Sequence, residues 1–144
     1  MSGALDPAAM PALHFACANG DLATVMKLLE AKADVNAADP AGHRMTPLQI
    51  TCAEGHLAVG KLLLAAGADV DKAAENGLTA LLYACRLGHV DVVKLLLEHG
   101  ADKAKATNGG HTPLGVARVL GHEEIVKLDG IDALMTLLKT EDVE

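Results

Sequence analysis

A single local pattern occurs four times in this chain. Leu13, Leu48, Leu81 and Leu114 stand at intervals of 35, 33 and 33 residues, and each carries a glycine seven positions on, at Gly20, Gly55, Gly88 and Gly121. The next residue is His56, His89 and His122 in three copies and Asp21 in the first. Further along come Leu62-Leu63-Leu64 and Leu95-Leu96-Leu97, followed by Gly-Ala-Asp at 67–69 and 100–102. Self-similarity at a fixed period of this length means one small unit stacked on copies of itself.

The unit is most complete from Gly77 to Asp102. Thr79 can cap a first helix through its hydroxyl, and Leu87-Gly88 ends it, because glycine accepts the left-handed conformation that closes a helix. A second helix opens after His89, with Asp91 near its free N–H groups, and stops at Gly100. Its apolar residues Val92, Val93, Leu95, Leu96 and Leu97 spread too far round the cylinder to face one neighbour only. Two-turn helices are marginal alone, so each pair requires similar pairs on both sides.

These residues resemble the ankyrin-repeat family. The resemblance covers roughly Pro11 to Leu128, and TPLQ at 46–49 and TPLG at 112–115 are similar to that family's TPLH. It implies an all-α fold, an ankyrin-repeat solenoid of helix-turn-helix pairs with β-hairpin-like loops. The expected organisation is a single domain over 1–144, with repeats at about 11–36, 46–71, 79–104 and 112–129. Of the TPLH histidines only His14 survives, with Gln49, Leu82 and Gly115 in its place, so weaker bonding between loops is expected.

The copies also differ. The first has Lys27 where Leu62 and Leu95 stand, Pro11-Ala12 in place of Thr-Pro, and Lys32 in place of a glycine at a left-handed position; a terminal repeat has one face with no neighbour to cover it. The loop from Asn36 to Thr46 is two residues longer than Asp71 to Thr79, and its extra length is expected at the tip near Pro40 to Arg44. Such an insertion either enlarges a binding face or is a tolerated surface loop. Gly60 replaces the valine of the other copies inside a helix, and we expect drift there more than a close helix approach. After Leu128 the expected Leu-Leu becomes Asp129-Gly130. Asp129 reads as a new cap, opening a capping helix over about 130–139 with Ile131, Leu134, Met135 and Leu138 inward.

One Phe, one Tyr and no Trp would starve a globular core but suit a tight stack. A net charge of −7 argues against a nucleic-acid binder, whose affinity depends on neutralising phosphates. No apolar run approaches the ~18 residues of a membrane span, so no membrane insertion is expected. Cys17, Cys52 and Cys85 hold one position in three successive repeats, with Arg118 in the fourth. Helices pack 8–10 Å apart and a disulfide needs Cα atoms within about 7 Å, so a ladder of buried, reduced thiols is expected, in a cytoplasmic or nuclear location. The in-phase histidines read as turn residues and not as zinc ligands. No metal, cofactor or catalytic set is legible, and the chain is not expected to be an enzyme.

The resemblance implies an adaptor or scaffold that binds another protein through the concave face; the alternative is a permanent assembly subunit of a larger complex. Mapped onto this sequence, the implied contact residues are Arg44, Met45, Ala53 and Glu54, then Glu75, Asn76, Leu78, Arg86 and Leu87, then Asn108, Gly109, His111, Val119 and Leu120. Lys72, Lys103, Lys105 and Arg118 are expected beside them, a cationic cluster round Leu78 and Leu87 suited to an acidic partner surface. The resemblance also marks Asn36 as a candidate for hydroxylation, against its reading as a turn asparagine.

Overall fold

The computed structural model describes residues 11–40 and 43–128. Seven helices follow in order: α1 (Ala12–Asn19), α2 (Leu22–Glu30), α3 (Pro47–Glu54), α4 (Leu57–Ala65), α5 (Ala80–Leu87), α6 (Val90–Glu98) and α7 (Pro113–Leu120). Residues 123–128 are helical too and are labelled α8. The capping helix expected over 130–139 lies outside the described residues.

The first helix of each later repeat begins at a threonine. Thr46, Thr79 and Thr112 accept from the backbone N–H of Gln49, Leu82 and Gly115 at 3.1–3.2 Å, each satisfying a donor that the helix leaves without a partner. Pro11, at the same place in the first repeat, offers no such bond. The glycine that ends each of these first helices, Gly20, Gly55, Gly88 and Gly121, is left-handed, with φ between 70° and 79°. Lys32 is left-handed too, at φ 71°, where Gly67 and Gly100 stand in the next two repeats.

The helices form two rows. α1, α3, α5 and α7 pack on one another more extensively than α2, α4 and α6 do. The closely packed row is called the inner row below. The core runs along the stack between the rows, through Leu13, Val25, Leu48, Val59, Leu63, Leu81, Val93 and Leu96, all buried. The three thiols lie in the same line, Cys17 and Cys52 at 0% exposure and Cys85 at 2%.

Gly60 lies buried in α4 against α6. A Cβ placed on it would sit 3.3 Å from Cδ2 of Leu95, so α6 seats a leucine methyl in the space where the other repeats carry a valine. The close neighbour is a side-chain end and not the backbone of a neighbouring helix.

The repeats are joined by long connections, each closed by a single hairpin rung. Asp39 donates its N–H to Met45 O at 2.8 Å, Ala74 to Leu78 O at 2.8 Å, and Thr107 to His111 O at 2.9 Å. Among the described residues none forms a regular strand. The first finger encloses the two extra residues, and its tip carries exposed Pro40, His43 and Arg44. Fingers also bond to each other, Glu75 N–H to His43 O at 2.9 Å and Asn108 N–H to Asn76 O at 3.3 Å.

Candidate protein-binding face

Three sets of side chains fix one repeat on the next, and they decide which residues are left for a partner. The first set is histidine. Nε2 of His56, His89 and His122 lies 3.0 Å from the carbonyl oxygens of Ala18, Ala53 and Arg86, one repeat back. A carbonyl only accepts, so each ring donates from Nε2. Neither His56 nor His89 caps its own helix through the side chain; the rings lie instead against the turns of the preceding repeat. A Cβ on Gly55 would meet the His89 ring at 2.9 Å, so this glycine is required by close approach as well as by φ. Asp21, with no described repeat before it, caps its own helix, accepting from Thr24 N at 3.2 Å and Thr24 Oγ1 at 2.6 Å. Those bonds favour its carboxylate form and hold its pKa low.

The second set crosses under the fingers. His14 Nε2 lies 2.9 Å from Ala37 O and 3.0 Å from Met45 O. Gln49 replaces it in the next repeat without loss: its Nε2 donates to Lys72 O at 2.5 Å and to Leu78 O at 3.4 Å, while its Oε1 accepts from Thr46 N at 2.7 Å. The expected weakening of the loop bonds is thus absent between the second and third repeats. Leu82 is apolar at the same position and is buried instead.

The third set ties loop to loop. Asn36 Oδ1 accepts from Asp69 N at 2.7 Å, and its Nδ2 donates to Gly67 O at 3.3 Å. Asp71, its counterpart, accepts from Asp102 N at 2.9 Å. Lys72 and Lys105 reach back to the carbonyls of Asn36 and Asp71 at 2.9 and 2.6 Å. Asn36 therefore spends both ends of its amide on the loop of the next repeat, and not on its own backbone as a turn asparagine would.

The expected contact residues then sort themselves. Arg44, Glu54, Glu75, Asn76, Arg86, Leu87, Asn108, Gly109, His111, Val119 and Leu120 are exposed, and Met45 and Ala53 are half-buried. Leu78 is not on the open face: it is 8% exposed and packs with Ala74, Leu82 and Tyr83 beneath the fingers, with Met45, Ala53 and Val116 against them. It holds the fingers up and is no anchor for a partner. The cationic cluster expected round it disperses as well. Lys72 and Lys105 are tied into the loops, and Arg118 lines a groove with Ala117, Gly121 and Val126 on the side of the fourth repeat away from the third. The sequence register hid this, because the cysteine position that Arg118 occupies faces the following repeat.

What remains contiguous is the end of the inner row. Leu87 and Leu120 hold one position in adjacent repeats, Arg86 and Val119 the position before it, and α5 packs directly on α7. Leu87 is 49% exposed, Val119 85% and Leu120 51%. Arg86 stands beside Tyr83, whose phenol burial pushes up in pKa while the guanidinium partly offsets the shift. At the finger tip Glu75 pairs with His43 at 3.7 Å.

Elsewhere the chemistry is quiet. Burial pushes the Cys52 and Cys85 thiols up to about 12 and raises that of Cys17, against a smaller pull from the Thr51 hydroxyl. Thiols held protonated this way are poor nucleophiles. Among the described residues no cluster of His, Cys, Asp and Glu is arranged to hold a metal ion, and no helix is long and apolar enough to cross a membrane.

The family model of ankyrin repeats, three copies long, matches residues 3–74 and 69–135. The chain belongs to the ankyrin-repeat family. No curated protein matches it. Ankyrin repeats are in general protein-interaction modules, and the paired helices, left-handed glycines and inter-repeat histidines are the ankyrin scaffold as this sequence builds it.

Proposed function

We propose that this ankyrin-repeat chain binds a partner protein through the inner face of its last two repeats, as an adaptor. The observation that carries the reading is the ridge of Leu87, Val119 and Leu120. Three large apolar side chains stand in solvent on adjacent inner helices, in a stack that buries Leu13, Leu48, Leu81 and Leu82 of the same row. A single exposed leucine needs no explanation, but a contiguous group rimmed by charge marks a contact surface. Arg86 beside it supplies a planar donor for a carboxylate, while Glu54 and Glu75 keep the rim mixed. The partner that fits presents an apolar anchor with an acidic residue next to it. Arg44 and Met45 on the long finger, Asn76 and His111 extend the surface toward the fingertips.

The double variant Arg86→Glu with Leu87→Ala tests this. Both residues are exposed, so the fold is retained, and a partner captured by the wild type is expected to lose about 100-fold in affinity. Undiminished binding in that variant would place the interface elsewhere.

One observation favours a second reading, a permanent assembly subunit that contacts its complex end-on. Phe15, Leu22 and Met26 in the first repeat are 61%, 39% and 46% exposed. The isolated protein's size in solution separates the two: a stable monomer supports the adaptor, and insolubility without a partner supports the subunit.

A further inference from the structure

The residue before each closing glycine makes one lane across the inner row: Asn19, Glu54, Leu87 and Leu120, all exposed. Along the chain the lane is polar, acidic, apolar and apolar. α3 packs on α5 and α5 on α7, and packed helices lie about 8–10 Å apart, so the last three of these residues recur at a step of that size.

Three regular backbones could lie along the lane, and the step separates them. A strand repeats its face at about 6.6 or 13 Å and misses. A polyproline helix repeats at about 9.3 Å and fits by distance, but it leaves its backbone polar groups to the surroundings and docks on grooves lined by aromatic rings. Here Leu87, Val119 and Leu120 are aliphatic, and Tyr83 is buried beneath the fingers. Backbone groups that could serve such a chain are already spent: His89 and His122 take the carbonyls of Ala53 and Arg86, and finger bonds to finger through the N–H groups of Glu75 and Asn108. An α-helix closes its own backbone, and seven residues bring it back to one face after about 10.5 Å.

We propose that the partner docks as an amphipathic helix laid across α3, α5 and α7, an inference that rests on the ridge being the contact surface. Two apolar residues seven apart cover Leu87 and Leu120, and a basic residue a further seven along meets Glu54. An acidic residue within one turn of the anchor over Leu87 pairs with Arg86. The lane thus sets the register of the helix as well as its chemistry, because a shift by one step would put an apolar residue on Glu54 and a cation on Leu87.

The full-length chain, immobilised, is panned against displayed peptides of about 20 random residues, some 30 Å long as helices. Enriched peptides are expected to carry this pattern, to gain helical circular dichroism on binding, and to lose about 100-fold in affinity for the Leu87→Ala, Leu120→Ala pair. Glu54→Lys is expected to weaken them about tenfold. Exchanging the peptide's basic residue for Glu then restores binding to that variant, which a merely structural role for Glu54 would not allow, and absence of the rescue overturns the register. Ridge-dependent peptides that bind without gaining helix, or with apolar residues three apart, overturn the helix and leave the ridge standing as the contact surface. Peptides indifferent to the leucine pair overturn helix and ridge together. A selection that enriches nothing overturns the helix alone, since the ridge is judged by the Arg86→Glu, Leu87→Ala variant and a whole partner.

Discussion

The ring of His89 donates from Nε2 to the carbonyl oxygen of Ala53, 3.0 Å away, across the boundary between two repeats. That bond returns at the next boundary, from His122 to Arg86, and at the one before, from His56 to Ala18. Replacing His89 by Ala removes a donor from a partly buried carbonyl and empties the space over Gly55. The expected cost is about 1–2 kcal/mol, read as a lower urea midpoint. An unchanged midpoint would reduce the histidine to a turn residue only.

Gly60 gives a prediction with two signs. Gly60→Ala gains helix propensity of about 1 kcal/mol, and its methyl meets the flexible end of Leu95 at 3.3 Å and Thr51 Cγ2 at an ordinary 3.8 Å. A modest rise in stability is expected. Gly60→Val restores the residue of the other repeats and drives two methyls into the same leucine, so a loss of about 1–3 kcal/mol is expected. Calorimetry on both variants checks the pair, and stabilisation by valine would contradict the packing.

Lys32 holds φ at 71°, where a side chain costs about 1–2 kcal/mol. Glycine relieves that cost and gives back part of it through the entropy of the unfolded chain. Lys32→Gly is expected to raise stability by about 0.5–1 kcal/mol, measured by denaturant unfolding.

The thiols set a pH limit. Burial raises Cys52 from an ordinary 9.0 to about 12, so in alkali the unfolded chain releases its proton before the folded one does. Below pH 9 both states hold the proton and nothing is lost. From pH 9 toward 12 the folded state binds more protons than the unfolded, and stability falls with rising pH by about 1 kcal/mol per unit for this group. Cys52→Ala removes that slope. Denaturant unfolding of the two proteins at pH 8 and pH 10.5 is expected to show the wild type losing ground to the variant, and parallel curves would contradict it.

The repeat was legible because positions in the first three repeats recur in one environment: Leu13, Leu48 and Leu81 are all buried, while Leu114 in the fourth is half-buried. Legibility ended where side chains serve contacts between loops. Leu78 reads as a fingertip residue, yet the rung from Ala74 turns it under the finger against Leu82 and Tyr83. Gln49 does not look like a histidine, but its amide reaches the same two carbonyl positions that His14 reaches one repeat earlier. Lys72 and Lys105 look like solvated charges and are tethers. For Gln49 and the two lysines the deciding partner lies more than twenty residues away, beyond what local periodicity carries. The exposed ridge was half legible: Leu87, Val119 and Leu120 follow from register, and the loss of Leu78 from it does not.

The histidine-on-glycine seat also bears on how long such a molecule can be. Gly20 receives His56, Gly55 receives His89 and Gly88 receives His122 in the same way, so the three joints are interchangeable parts. A duplicated stretch of thirty-three residues placed between the second and third repeats would meet on both sides a surface it already fits. Growth by copying therefore requires no new contact to be invented. The fourth repeat is where the parts change: Arg118 stands at the position that is a cysteine in the three repeats before it, so a next unit would meet a guanidinium where the earlier joints carry a thiol.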